Sequence, residues 1–466
     1  MRTAVAACAA ALLAAGCGGG RTGALQLHAC TIGGSKAIAA ECGNLSVPEN
    51  PGDPNGHHIP IHVAVVRATG PTAKPDPLFY FSGWGSAGVE DDAQLAPLLV
   101  DVNLDHDVVF IDQRGTGLSN RLTCTPPSGS ASLAAVTVAS RRCAARIGPN
   151  LRYYTSAVAV DDYDRVRAAL GYDHIDIYGV SYGVTTALIY LQRHGAHVRS
   201  VVLDSGSLLD VRIFEQEAPN AQRALDLLFK RCAVDASCSS AYPHLRADYG
   251  RLTARVARAP IPIPGTTAKL DEVALASVVE SLLAFDKPEL PRVVELVSTG
   301  HLARAAAIVA PLLPSGQQPY LAYQLLIQCS EPWASWRTAQ VARLAAGTFL
   351  ERMQLHGAAI MGAVCKGFPR GYAPAAIGRR VHSQVPVLFL QGDEDPADPP
   401  ANVTHPQREL PNSRVVVFRA SGHGHLSLPC AENLIARFVA EGSAAGLDPT
   451  CASSAAIEVQ FDVPPS

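Results

Sequence analysis

The run His174-Ile175-Asp176-Ile177-Tyr178-Gly179-Val180-Ser181-Tyr182-Gly183 narrows the folds open to this chain more than any other stretch. Residues 175–178 are an apolar, β-favouring run, and residues 184–193 repeat at helical spacing up to Gly195. Between them stands G-x-S-x-G. Glycines on both sides of a serine allow a sharp turn from strand to helix, which lifts the hydroxyl above the end of a sheet. The helix N-terminus behind it favours negative charge near the hydroxyl. Five residues of this pattern can arise by chance; a strand running in and a helix running out give it weight.

The neighbouring segments fit the same architecture. Residues 59–66 alternate, with Ile59, Ile61, Val63 and Val65 on one face, and Pro60 points to an edge position. Further strands are expected at 77–81, 107–111 and 198–203, with a helix at 161–170 closed by Gly171. Strands alternating with helices imply βαβ units and a parallel sheet. From about 206 to 375 the pattern turns helical, with helices expected around 221–231, 270–285 and 291–310. Strands return at 385–390 and 414–418, and a last helix at 433–439. The expected organisation is a signal segment over 1–17, a core over 18–205, a helical lid over 206–375 and the rest of the core over 376–466.

A serine hydroxyl is a weak nucleophile and needs a base, which needs an orienting acid. Behind an elbow of this kind the acid and then the histidine follow along the chain. The strand at 385–390 leads into Gln391-Gly392-Asp393-Glu394-Asp395-Pro396, where Asp395 is the favoured acid and Asp393 the second choice. The strand at 414–418 leads into Ala420-Ser421-Gly422-His423-Gly424-His425, where His425 is the favoured base and His423 the second choice. The oxyanion formed on attack needs two N–H donors. Tyr182 follows the serine and offers one. The Gly-rich run Ser82-Gly83-Trp84-Gly85-Ser86-Ala87-Gly88 offers the other, from Gly83 or Trp84. Together these features predict an α/β-hydrolase fold, with a mostly parallel central sheet and an inserted helical lid.

Asp112-Gln113-Arg114-Gly115-Thr116-Gly117, Gly-Val-Ser-Tyr-Gly at 179–183, Asp395-Pro396 and Gly424-His425 resemble the proline iminopeptidase and secreted tripeptidyl aminopeptidase family of α/β hydrolases. The resemblance extends over about 40–205 and 365–455, with Ala40-Glu41-Cys42 before Val47-Pro48 and Pro429-Cys430 before Cys451. It implies a serine aminopeptidase that takes peptides and works through an acyl-enzyme, with no metal or cofactor. Asp112 and Arg114 would brace a loop. The family's Gly-Gly-Pro-Gly-Gly-Ser-Gly loop reads Ser-Gly-Trp-Gly-Ser-Ala-Gly here, so Trp84 adds bulk beside the site. An aminopeptidase needs an anion for the substrate's ammonium, and Glu331 in Cys329-Ser330-Glu331-Pro332-Trp333 is the candidate. The same triad would serve a carboxylesterase, and the fold could also be kept as a non-catalytic binding scaffold.

The N-terminus points to export. Arg2 precedes an apolar stretch over 4–15, too short to span a bilayer. Leu13-Ala14-Ala15-Gly16-Cys17 looks like a lipobox, with Cys17 as the lipidated residue, though Ala14 stands where Leu is usual. The expectation is a secreted protein or one held to a membrane only by lipid. Ten cysteines remain beyond this region. The simplest pairing is sequential: Cys30–Cys42, Cys124–Cys143, Cys232–Cys238, Cys329–Cys365 and Cys430–Cys451. Other connectivities fit the sequence too. Disulfides persist outside the cytosol. With 48% hydrophobic residues there is ample material for a large core, and a net charge of −3 without basic runs excludes a nucleic-acid partner.

Overall fold

The computed structural model describes residues 25–124, 132–285, 287–313, 320–454 and 460–463. The signal segment and Cys17 lie outside the described residues. Nine strands form one sheet: β1 (His28–Ile32), β2 (Ile38–Pro48), β3 (His58–Val66), β4 (Leu78–Phe81), β5 (Val108–Ile111), β6 (Ile175–Val180), β7 (Val198–Asp204), β10 (Val387–Gly392) and β11 (Ser413–Phe418). A separate two-residue hairpin pairs β8 (Ile261–Pro262) with β9 (Lys269–Leu270). The order in the large sheet is β1-β2-β3-β5-β4-β6-β7-β10-β11. The first three pairings along it are antiparallel and the remaining five parallel.

The apolar runs explain this layering. β4, β5 and β10 are buried along their whole length, as strands covered on both faces must be. Their side chains alternate between two cores. Phe79, Phe81, Val109, Ile177, Leu203 and Phe389 face one core with the helices Ser156–Leu170 and Tyr182–His194. Leu78, Tyr80, Phe110, Tyr178, Val202 and Leu390 face the other with the helix Pro429–Glu441. Parallel strands bring their carboxyl ends to one edge, where α/β sheets bind ligands. β4, β6, β7, β10 and β11 are neighbours in that order, so the segments after residues 81, 180, 204, 392 and 418 gather there.

Two expectations change. β3 is an interior strand, between β2 and β5. Pro60 is tolerated because β5 pairs only with Val63–Val66, leaving the Pro60 end bonded on one side, to β2. The helix expected over 291–310 is two, Leu290–Ser298 and Leu302–Val309. Gly300, at φ 83°, breaks it, with the His301 N–H turned back to the Leu296 carbonyl. The hairpin of β1 and β2 has no counterpart in the sequence-based expectations. Its Ala39-Ala40-Glu41 stretch carries little β signal, and Cys30–Cys42 fastens it.

Between β7 and β10 the chain is mainly helical, with its own core of residues such as Leu225, Leu228, Val278, Leu282 and Val293. Helices Ile213–Val234 and Glu272–Ala284 lead from this insertion towards the strand ends. All five sequential disulfides are formed, with Cα separations from 5.1 to 5.9 Å. Among the described residues no helix is long and apolar enough to cross a membrane.

Candidate active site

Ser181 follows the last residue of β6 and sits at φ 57°, ψ −120°. A non-glycine residue there is strained, and the surroundings must hold it. They do so closely. The Ser181 N–H donates to the Asp204 carbonyl at 2.9 Å, and the Ser181 carbonyl accepts from Val184 N–H at 2.9 Å. The flanking glycines are required by space. A β-carbon on Gly183 would lie 2.0 Å from the Phe81 carbonyl oxygen, and one on Gly179 would lie 2.4 Å from the Gly183 carbonyl oxygen.

Gly83 lies against the serine: a β-carbon built on it would be 3.7 Å from Ser181 Cβ. Its loop is tied down by Gly85 N–H to Tyr323 Oη, Ser86 Oγ to Asp92 and Ala87 N–H to Asp91. The Trp84 ring packs among Tyr182, Phe214, Tyr323 and Trp333, with centroids 5.3 to 6.0 Å away. Trp84 and Tyr182 join Ser181, Thr185, Ser207, Ile213, Phe214, Glu217, Ala397 and Asp398 around a cavity of ≈ 140 Å³. That is well below the roughly 300–1,000 Å³ of pockets for drug-sized ligands. The substituted Gly-rich loop therefore builds a small, aromatic-walled chamber beside the serine.

The acid and the histidines pair differently from expectation. Asp395 Oδ2 accepts from His423 Nδ1 at 2.8 Å, and its Oδ1 accepts from the N–H groups of Ala397 and Asp398. Asp395 does not meet His425. That imidazole is fully buried, stacked on Phe418 with its Nδ1 2.6 Å from Asp204 Oδ1. The physical reason is the loop's path. Gly424 at φ 81° reverses the chain, so the two histidines go to different carboxylates. Among the described residues His425 Nε2 is buried without a partner, whereas the His423 side chain keeps 11% exposure. The other two acids of the loop do not take its place. Glu394 meets Arg231, and the main chain of Asp393 accepts from Arg223.

Charge around His423 is one-sided. Burial opposes protonation, but the carboxylates of Asp395, Asp398 and Asp204 outweigh it and push the imidazole up to about 9. Burial also works against ionised Asp395, yet His423 and the two backbone N–H groups hold it below its usual range. Asp398, buried beside Asp395, is raised to about 6.

Glu331 does not reach the cavity. It is fully buried, with Oε1 accepting from Ser156 N–H at 2.8 Å and Oε2 from Trp333 Nε1 at 2.6 Å. Ser156 Oγ in turn meets Tyr182 Oη at 2.8 Å, so Glu331 braces the aromatic wall rather than facing solvent or ligand. Burial raises its pKa. Two acids do line the cavity, Asp398 and Glu217, the latter from helix Ile213–Val234. Glu217 stands apart from the proposed acid–histidine pair. Its carboxyl is hydrogen-bonded to Glu280 and Gln354. Burial raises both glutamates, and Glu280 is raised further by Glu217. Nothing in the local sequence marks Glu217, because its partners lie 63 and 137 residues further on. Arg114 and Asp112 are braces: the buried guanidinium forks onto Asp162 at 2.6 and 2.9 Å, and Asp112 accepts from Val89, Glu90 and Leu118 N–H groups.

A serine in this strained turn, a carboxylate–imidazole pair from the ends of β10 and β11 and a Gly-rich loop against the serine are the components of acyl transfer. The comparisons with known proteins agree on the class. The family described as alpha/beta hydrolase fold matches residues 76–236, and the family described as TAP-like protein matches residues 354–451. The chain has the α/β-hydrolase fold, and its C-terminal part resembles the TAP-like family. It resembles the tripeptidyl aminopeptidase of Streptomyces coelicolor, at 25% identity over 89% of this chain and 83% of that one. The enzyme of the same name from Streptomyces lividans is also 25% identical, over 89% and 84%. The serine protease Hip1 of Mycobacterium tuberculosis is 25% identical over 59% of this chain and 52% of its own length.

Proposed function

We propose that this chain is an exported serine aminopeptidase that cleaves short peptides near a free N-terminus through an acyl-enzyme. Ser181 Oγ attacks the scissile carbonyl, and the bond to the leaving amine breaks as the tetrahedral intermediate collapses. His423 takes the serine proton and passes it to that amine; Asp395 holds the imidazole by Nδ1. The N–H groups of Tyr182 and of Gly83 or Trp84 take the oxyanion. Water then repeats the sequence on the acyl-enzyme and releases the N-terminal piece. The relatives' names support a peptidase, and five disulfides support a compartment outside the cytosol.

The observation that carries the aminopeptidase assignment over an esterase is that Ser181 and Glu217 line one small cavity. Glu217 hydrogen-bonds Glu280 and its charge raises Glu280, with burial raising both. An arriving ammonium would supply the missing positive charge, ionise the pair and fix the substrate N-terminus a short way from Ser181. The chamber's size suits a short acyl portion. The test is a fluorophosphonate probe followed by a substrate panel on wild type, Ser181→Ala and Glu217→Gln. Labelling should vanish in Ser181→Ala. Glu217→Gln should lower kcat/KM for free-amine peptide amides by about 10–100-fold, the loss of a charge-assisted bond, and leave N-blocked peptides and short esters within about twofold. Preference for esters in the wild type, or equal losses on all three substrates, would favour the carboxylesterase assignment.

A further inference from the structure

One residue outside the proposed triad bonds both to Ser181 and to the loop that carries His423. Asp204 ends β7, and its main-chain carbonyl accepts the Ser181 N–H at 2.9 Å. Its side chain turns to the histidine loop. Oδ2 accepts the His425 main-chain N–H at 2.9 Å, and Oδ1 meets His425 Nδ1 at 2.6 Å. Tyr178 Oη, from β6, donates to Oδ2 at 2.6 Å and holds the carboxylate in place. The next residue, Ser205, sits at φ 52° and its Oγ accepts the Gly424 N–H at 2.8 Å. The two peptide N–H groups that follow His423 are thus both anchored on the end of β7.

We propose that Asp204 is a positioning residue that sets the distance between nucleophile and base: its main chain fixes Ser181, and its carboxylate, through His425, fixes the loop that presents His423. This rests on the assignment of Ser181 and His423 made above. His425 then has a role without touching substrate. It is the buried arm through which Asp204 holds the loop, clamped flat against Phe418. A fully buried carboxylate–imidazole contact is an expensive way to stabilise a loop, since apolar side chains of similar volume usually do as well. A carboxylate that accepts both a main-chain N–H and an imidazole fixes direction as well as depth, which packing alone does not. Small errors matter here: about 1 Å of misplacement can cost on the order of a hundredfold in rate.

The same carboxylate also bears on the charge of His423. The groups facing that imidazole are Asp395 and Asp398 from the loop after β10 and Asp204 from β7. His425 lies on its own loop, and the Arg223 guanidinium of the insertion bonds the carbonyls of Asp393 and Asp395. Of these, only Asp204 joins β7 to the histidine loop.

The experiment compares wild type, Asp204→Asn, the double variant Asp204→Asn/His425→Gln and Ser205→Ala, by rate of fluorophosphonate inactivation and by kcat and KM across pH. Asp204→Asn should lower the inactivation rate and kcat by about 10–100-fold with KM within about twofold. It should move the acid limb of kcat/KM down by roughly 0.5–1 pH unit, a change that loosened packing alone would not produce. The double variant removes the carboxylate and its imidazole partner together and so leaves neither buried without the other; it should show the same loss and the same shift. Ser205→Ala should lose about threefold or more in kcat, having lost one anchor. Folded variants with wild-type rates and an unmoved acid limb would overturn the proposal. Absence of Ser181 labelling in the wild type would overturn the triad assignment and this proposal with it.

Discussion

His423 and His425 stand two positions apart in one Gly-rich loop, both just past the last strand, and nothing in the spacing separates them. What separates them is where Gly424 turns the chain and which carboxylate each ring meets. Local sequence carries neither, because Asp395 and Asp204 come from different strand ends. Glu331 shows the same limit. A carboxylate beside a pinned cysteine reads as available, yet Trp333 two residues on and Ser156 from a distant helix take both oxygens. Ser181, by contrast, was legible, since a strained strand–helix turn is written in adjacent residues. A pH dependence follows at this scale. The base must be neutral to accept the serine proton, and carboxylates push His423 up to about 9. The acid limb of kcat/KM should therefore lie well above the usual 6.5, giving an alkaline optimum. Asp395→Asn should move that limb down while lowering the rate. The sign for stability is opposite: the His423–Asp395 pair contributes fully from above the usual carboxylate range up to about pH 6.5, and its contribution fades as pH rises through about 9 or falls through the lowered Asp395 value. Rate profiles at constant ionic strength measure the limb; one at or below 6.5 would contradict the charge arrangement.

The elements of the sheet domain were readable because each carries its own period and its own stop signal. β4, β5 and β10 are short apolar runs bounded by turns, and the helix after Ser181 ends at Gly195. The insertion was readable only as helical. Its helices gain their order from one another and from the strand ends, as Glu217, Glu280 and Gln354 do from three separate helices. The elbow is the element with least tolerance. Gly183→Ala would drive a methyl into the Phe81 carbonyl, at the end of β4 where the Gly83 loop begins. The expected cost is about 2–3 kcal/mol of stability, with a fall in activity as the loop is displaced. Gly250→Ala, on helix Leu245–Arg258 where a β-carbon meets nothing within 4 Å, is the control and should be neutral or slightly stabilising. Denaturant unfolding of both decides it; equal stabilities would contradict the close packing of the elbow.

Across the whole molecule, the proposed function depends on bringing residue 181 to residues 395 and 423 over an insertion of helices. The parallel sheet does this by placing β6, β7, β10 and β11 side by side, so that chain distance becomes irrelevant at their carboxyl ends. Five disulfides lock the periphery. Cys329–Cys365 ties the segment that carries Glu331 and Trp333 to the start of the TAP-like part, and Cys430–Cys451 closes the last helix onto the end of the chain. Each limits how far the unfolded chain can spread, and such bridges typically contribute about 2–4 kcal/mol. The central claim is that this assembly makes His423, not His425, the base for Ser181. The direct test is kcat/KM of His423→Gln beside His425→Gln on one free-amine peptide substrate, with correct folding checked for both. The account predicts a loss of about 10⁴-fold or more for His423→Gln and of no more than about a hundredfold for His425→Gln. The reverse order would contradict it.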